Sequence, residues 1–109
     1  GGRQLDGAPS SIKVLPEIVD AVGRKIEIHI DGGIRSGQDV VKALCLGAKG
    51  TYIGRAFLYG LGALGKTGVS TSLDIIKNEL DKTMAFCGRR NVEDLDKTNL
   101  YIEKPLNNY

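Results

Sequence analysis

An α/β fold built on parallel strands is predicted for this 109-residue chain, and three features of its pattern predict it. The apolar spacing alternates between a helical and a strand period along the chain. The strand-like stretches halt in glycine turns, Asp31-Gly32-Gly33 and Gly54-Arg55. The connections are short, so strands separated by a helix run parallel and are joined by right-handed crossovers.

The elements follow in order. Pro16 sits at the first turn of a helix whose stripe is Ile18, Val19 and Val22 and whose stop is Gly23. Lys25 to Ile30 alternates, with Ile26, Ile28 and Ile30 on one face and Glu27 and His29 on the other, and reads as a strand. Ser36 caps a second helix with Asp39 in the capping-box position; Val40, Val41, Ala43 and Leu44 are its apolar face, and Gly47 ends it. Gly50 to Ile53 is a second short strand, and a short helix over about 56–64 follows it. Gly65 and Gly68 break the pattern before Val69, Leu73, Ile76, Leu80 and Met84 recur at helical spacing up to Gly88. Asn91 caps one more turn, and 99–109 reads as a polar tail.

Composition excludes several functions. A net charge of +2, from scattered basic residues, is too balanced for a nucleic-acid footprint or a membrane-surface patch. Cys45 and Cys87 lack metal-ligand spacing and call for no disulfide scaffold, so reduced thiols of a cytoplasmic protein are expected. No apolar stretch approaches the roughly 20 residues that span a bilayer. The chain begins without an initiator Met, as a fragment would.

Two strands are too few to close a sheet, yet their ends lie side by side at the carboxyl edge, where α/β folds bind ligands. In eight-fold barrels, the loops after the last two strands and a short extra helix commonly hold phosphate. DGGIRSG supplies close backbone approach and Arg35, and IGRAF supplies Gly54 and Arg55 at the head of a helix. Two guanidiniums and two amide-rich turns at one point suit a phosphate monoester better than a metal. The remaining chemistry-bearing residues read as structural. His29 shares parity with Asp31 and is expected inside the sheet's closed face as a satisfied core histidine. Cys45 is expected as a small buried hydrophobe, Tyr52 and Tyr59 as packing residues, and Lys77 to Lys82 as a solvated helix face.

Three stretches, GGRQLDGAPSS, HIDGGIRSGQDVVKALCLGAKG and YIGRAFLYGLGALGKTGV, resemble the C-terminal part of the FMN-dependent α-hydroxy-acid oxidising family. That family includes L-lactate dehydrogenases, glycolate oxidase, lactate monooxygenase and mandelate dehydrogenase, and the resemblance runs from Gly1 to about Leu100. LCLGAKG and GRAFLYGLGALG look most like the L-lactate dehydrogenases. The resemblance implies a TIM (β/α)8 barrel of which residues 1–98 supply about strands 7 and 8 with helices 6 to 8. It implies FMN as cofactor, its ribityl chain on Asp31 and its phosphate on Gly33, Arg35, Gly54 and Arg55, with Gly32 also at the cofactor site and Arg3 on the substrate carboxylate. It also implies a small 2-hydroxy acid as substrate and a cytochrome, quinone or oxygen as electron acceptor. The full-length enzyme is then cytoplasmic, or held at the inner face of the membrane.

One departure weighs on the expected activity. The family's general-base histidine belongs to the motif HGGRQ, and here it would precede Gly1. No catalytic residue is therefore assigned within the chain. The expectation is a C-terminal fragment of an L-lactate dehydrogenase-like enzyme, inactive alone because the base and most of the flavin pocket are missing. The alternative is a non-catalytic phosphate-binding or assembly module that forms a homo-oligomer or completes itself with an N-terminal half. IMP dehydrogenase and type 2 isopentenyl diphosphate isomerase have similar strand ends, but GRQLDGAP and GRAFLYG disfavour both.

Overall fold

A computed structural model describes residues 1–102. Helix α1, Ser11–Val22, precedes strand β1, His29–Ile30; helix α2, Gly37–Cys45, crosses to strand β2, Gly50–Thr51; and a long helix, α3, Arg55–Phe86, follows. β1 and β2 pair in parallel, His29 against Gly50 and Ile30 against Thr51. Lys49 N–H donates to the Ile28 carbonyl at 2.7 Å and Tyr52 N–H to that of Ile30 at 2.9 Å, which extends the ladder at both ends.

The strand is shorter than its alternation suggests. Lys25 and Ile26 still donate to the carbonyl of Val22, so the chain is leaving α1 there, and Ile26 is exposed. Ile28 and Ile30 alone turn inward, onto Leu15, Ala43 and Ala48, with Ile12, Val19, Val22 and Leu46 around them. α1 begins a turn earlier than expected and carries Pro16 in its interior, where the proline offers no N–H to the preceding turn. Its buried stripe is Ile12, Leu15, Val19 and Val22, whereas Ile18 faces solvent.

α2 forms as its sequence demands. Ser36 Oγ accepts from Asp39 N–H at 3.2 Å, and Asp39 Oδ2 accepts from Ser36 N–H at 3.2 Å, a reciprocal capping box. Gly47, at φ 103°, reverses the chain after it. α3 is broken only at Leu64 and Gly65, where Gly65 takes φ 59°. Gly68 is no breaker: it stays helical and buried, its backbone against that of Gly60, so the limbs before and after residue 65 fold back on each other. Ser72 Oγ bonds the Gly68 carbonyl at 2.9 Å inside this contact.

A second core joins α2, α3 and the C-terminal segment through Val41, Cys45, Met84 and Leu95, flanked by Leu44, Leu80 and Leu100. Leu73, expected in the α3 stripe, is half exposed. Beyond α3, 3-10 turns form over Val92–Asp94, after Asn91, and over Lys97–Asn99. Arg89 Nε donates to Asn99 Oδ1 at 3.1 Å, and Leu100 packs on the second core, so the expected tail of 99–109 starts inside folded structure. Residues 103–109 of that tail lie outside the described residues.

Candidate functional site

The carboxyl ends of β1 and β2 open into one pocket of about 280 Å3, lined by Asp31, Gly32, Gly33, Ile34, Arg35, Gly54, Arg55 and Leu58. All six residues expected at the cofactor position therefore meet in one place. After β1 the chain turns through Gly32 at φ 108° and Gly33 at φ 75°, left-handed conformations that side chains resist. Asp31 Oδ1 accepts from Gly32 N–H at 2.7 Å, and Ser11 Oγ donates to the Asp31 carbonyl at 2.7 Å, which ties the turn to the start of α1. After β2, Gly54 precedes the first residue of α3, Arg55.

Two helix N-termini approach this pocket, and they differ in their donors. At α2, Arg35 N–H and Ser36 N–H donate to Asp39 Oδ2 at 3.1 and 3.2 Å. Gly37 N–H donates to Glu79 Oε2 at 2.8 Å. The amides of α2 are thus held by the protein's own carboxylates. α3 has no side-chain cap, and the first amides of a helix have no partner within it. Its N-terminus, beside the guanidinium-bearing Arg35 and Arg55, is the place where amide donors and positive charge coincide. Such a set suits a ligand with several anionic oxygens, and the phosphoryl end of FMN fits it.

Other expected positions lie apart from it. Arg3 is exposed and does not line the pocket. His29 is not a core histidine: its side chain is 40% exposed on the sheet face turned away from the helices. Its ring lies over Gly50, with Nδ1 3.4 Å from the Tyr52 hydroxyl and Nε2 3.7 Å from Glu27 Oε2. The physical reason is that nothing among the described residues covers that face. Tyr52, 59% exposed, and Tyr59, 73% exposed, are likewise not packing residues here. Cys45 is buried as expected, and both cysteines are free. Among the described residues no three His, Cys, Asp or Glu side chains cluster as metal ligands, and no helix is long and apolar enough to cross a membrane.

Sequence reasoning missed Ile34 and Leu58 as pocket walls, and it missed Glu79. That residue sits in a Lys/Asp/Glu alternation that reads as a solvated face, yet its carboxylate holds the first amide of α2 from 42 positions away. Neither of the last two left a local signal.

A family model described as FMN-dependent dehydrogenase matches residues 1–102. The chain is 52% identical over 106 residues to 2-hydroxyacid oxidase 1 of Homo sapiens, covering 97% of this chain and 28% of that protein. It is 51% identical over 105 residues to an L-lactate dehydrogenase of Caulobacter vibrioides, covering 96% and 27% respectively. A solved structure of a soluble mutant of the membrane-associated (S)-mandelate dehydrogenase from Pseudomonas putida superposes with a TM-score of 0.88 at 45% identity, over 94% of this chain and 29% of that one. The chain thus spans about a quarter of the length of the curated relatives it matches.

Proposed function

The chain belongs to the FMN-dependent dehydrogenase family, and on that premise we propose that it is the C-terminal part of a flavoenzyme that oxidises an L-2-hydroxy acid, converting L-lactate to pyruvate. The observation that carries this reading is the convergence of Arg35, Arg55 and the uncapped start of α3 on one pocket. In the proposed assignment, residues 1–98 supply about strands 7 and 8 and helices 6 to 8 of a (β/α)8 barrel. Its structural neighbours are FMN-dependent barrel dehydrogenases, and these two parallel strands carry the glycine turns.

When bound, FMN supplies the two-electron acceptor. The chain's own residues hold its phosphate: Arg35 and Arg55 by charge, Gly32, Gly33 and Gly54 by leaving room for the backbone to come close, and the first amides of α3 by their aligned dipoles. Asp31, whose carboxylate already turns toward the Gly32 amide, is placed to accept from ribityl hydroxyls. Arg3, exposed and apart from the pocket, binds the substrate carboxylate in this reading. His29 is assigned no proton transfer, because its ring is engaged by Tyr52 and Glu27, one alternation below the pocket residue Asp31. No residue of this chain is assigned as the general base in this reading, and the 109-residue chain alone is inactive, since a positioned base is worth roughly 10² to 10⁴ in rate. The acceptor is a cytochrome, quinone or oxygen, and the enzyme is cytoplasmic or attached to the inner face of the membrane.

A chimera tests the substrate. The N-terminal part of the Caulobacter vibrioides L-lactate dehydrogenase, joined to this chain, is expected to retain flavin and reduce a dye acceptor fastest with L-lactate among lactate, glycolate and mandelate. A flavin-loaded chimera that prefers another acid refutes the lactate assignment, and loss of flavin refutes the phosphate site. Turnover by the 109-residue chain with added FMN refutes its inactivity.

The bare sheet face, with Tyr52 and His29 exposed, favours a second reading in which the chain is an assembly module that self-associates or docks on an N-terminal half. A monodisperse monomer by light scattering refutes self-association.

A further inference from the structure

α2 and α3 run side by side in the same direction, and their contacts form a ladder. Gly37, at the start of α2, abuts the backbone of Glu79 and Leu80 so closely that an added Cβ would collide with it. One turn on, Val41 packs in a single cluster with Leu80 and Met84. Cys45, the last residue of α2, belongs to the same cluster and is buried in it. From Leu80, seven residues along α3 return to nearly the same face and reach Cys87, the C-cap. At 1.5 Å per residue, Gly37 to Cys45 advances about 12 Å and Leu80 to Cys87 about 10.5 Å, so the two cysteines arrive at nearly the same level.

We propose that Cys45 and Cys87 form a redox-modification site, a dithiol that peroxide converts to a disulfide clasp between the C-terminal ends of α2 and α3. The two thiols differ in the way such a pair requires. Cys45 is buried, whereas Cys87 is partly exposed at the helix end. Burial foremost, and then the charge of Cys87 nearby, push the Cys45 thiol up, so Cys45 is the poorer first nucleophile. Gly88, at φ 68°, reverses the chain immediately after Cys87, so the thiol sits at the very end of α3.

The chemistry balances with a peroxide as oxidant. The Cys87 thiolate attacks a peroxide oxygen, the O–O bond breaks, Cys87 becomes a sulfenic acid, and hydroxide leaves to be protonated to water. The Cys45 sulfur, losing its proton, then attacks the Cys87 sulfur; the S–O bond breaks, the S–S bond forms and a second water leaves. Two thiols lose two electrons, and hydrogen peroxide is reduced to two waters.

The test treats the reduced chain with one equivalent of hydrogen peroxide, followed by alkylation and peptide mass analysis. Expected are loss of both free thiols, a mass decrease of about 2 Da, a Cys45–Cys87 linked peptide in a monomeric species, and full reversal by dithiothreitol. The Cys45→Ser variant is expected to accumulate a dimedone-reactive Cys87, and the Cys87→Ser variant to keep its Cys45 thiol, with oxidation slowed by about 10-fold or more. Linkage at the same rate in concentrated urea overturns the proposal, because the folded ladder would then not be the cause. So do thiols that both survive, a Cys87 that is oxidised while Cys45 stays free, and linkage only between chains.

Discussion

Replacing Gly37 by alanine puts a methyl group where the main chain of α3 already is. The ideal Cβ lies 2.7 Å from Glu79 Cβ and closer still to the Glu79 carbonyl carbon and Leu80 nitrogen. Comfortable carbon contacts need about 3.5–4.0 Å, and the obstructing atoms are helix backbone, so α3 must retreat by about 1 Å or more. Overpacking of this kind costs about 1–3 kcal/mol, here toward the upper end because no side chain can swing away. The same retreat stretches the 2.8 Å bond from Gly37 N–H to the Glu79 carboxylate, a charge-assisted bond worth about 1.5–3 kcal/mol. Alanine's better helix propensity returns less than about 1 kcal/mol at this first helical position. The net expectation is a loss of about 2–4 kcal/mol in urea unfolding followed by far-ultraviolet circular dichroism. Gly62 supplies the contrast: it is helical, outside the left-handed region, with nothing within 4 Å of its ideal Cβ. Gly62→Ala is expected to stabilise by about 0.5–1 kcal/mol. If Gly37→Ala stays within about 0.5 kcal/mol of the parent, or both substitutions shift stability in the same direction, the close helix contact does not hold the fold as argued.

Arg35→Gln and Arg55→Gln are each expected to weaken inorganic phosphate binding by about 10-fold or more, measured by calorimetry, while the unfolding midpoint moves little. Equal affinity in either variant removes that arginine from the site. Asp39→Ala deprives the Arg35 and Ser36 amides of their acceptor and is expected to cost about 1–2 kcal/mol in urea unfolding, with weaker phosphate binding because Arg35 loses its backbone anchor. The pH dependence follows from Cys45, whose folded thiol is held above its ordinary value of 9.0, chiefly by burial. The stability linked to that raised value is complete below the unfolded value and is lost as pH rises through the folded one. The thermal midpoint of the parent chain should therefore fall more steeply above about pH 9 than that of Cys45→Ala, and parallel curves would count against a buried neutral thiol.

What could be read from the chain alone was local. The capping box of α2 needs only Ser36 and Asp39, three residues apart, so it forms as read. The turn after β1 needs two adjacent residues with positive φ, and Gly32 and Gly33 provide them wherever the chain goes. The pocket was legible for the same reason: each half of it is a glycine turn with an arginine nearby, and parallel pairing brings the halves together. Tertiary structure decided everything that depends on a distant partner. Gly68 reads as a breaker because glycine is a poor helix former, but the backbone of Gly60 packs against it and keeps it helical. His29 alternates as a core residue should, yet alternation says only which face it takes; burial depends on whether another layer covers that face. Glu79 gains its meaning from α2, 42 positions away, where its carboxylate holds the Gly37 amide. Spacing along one helix sets which side a residue presents, and only the packing of two helices sets what it meets.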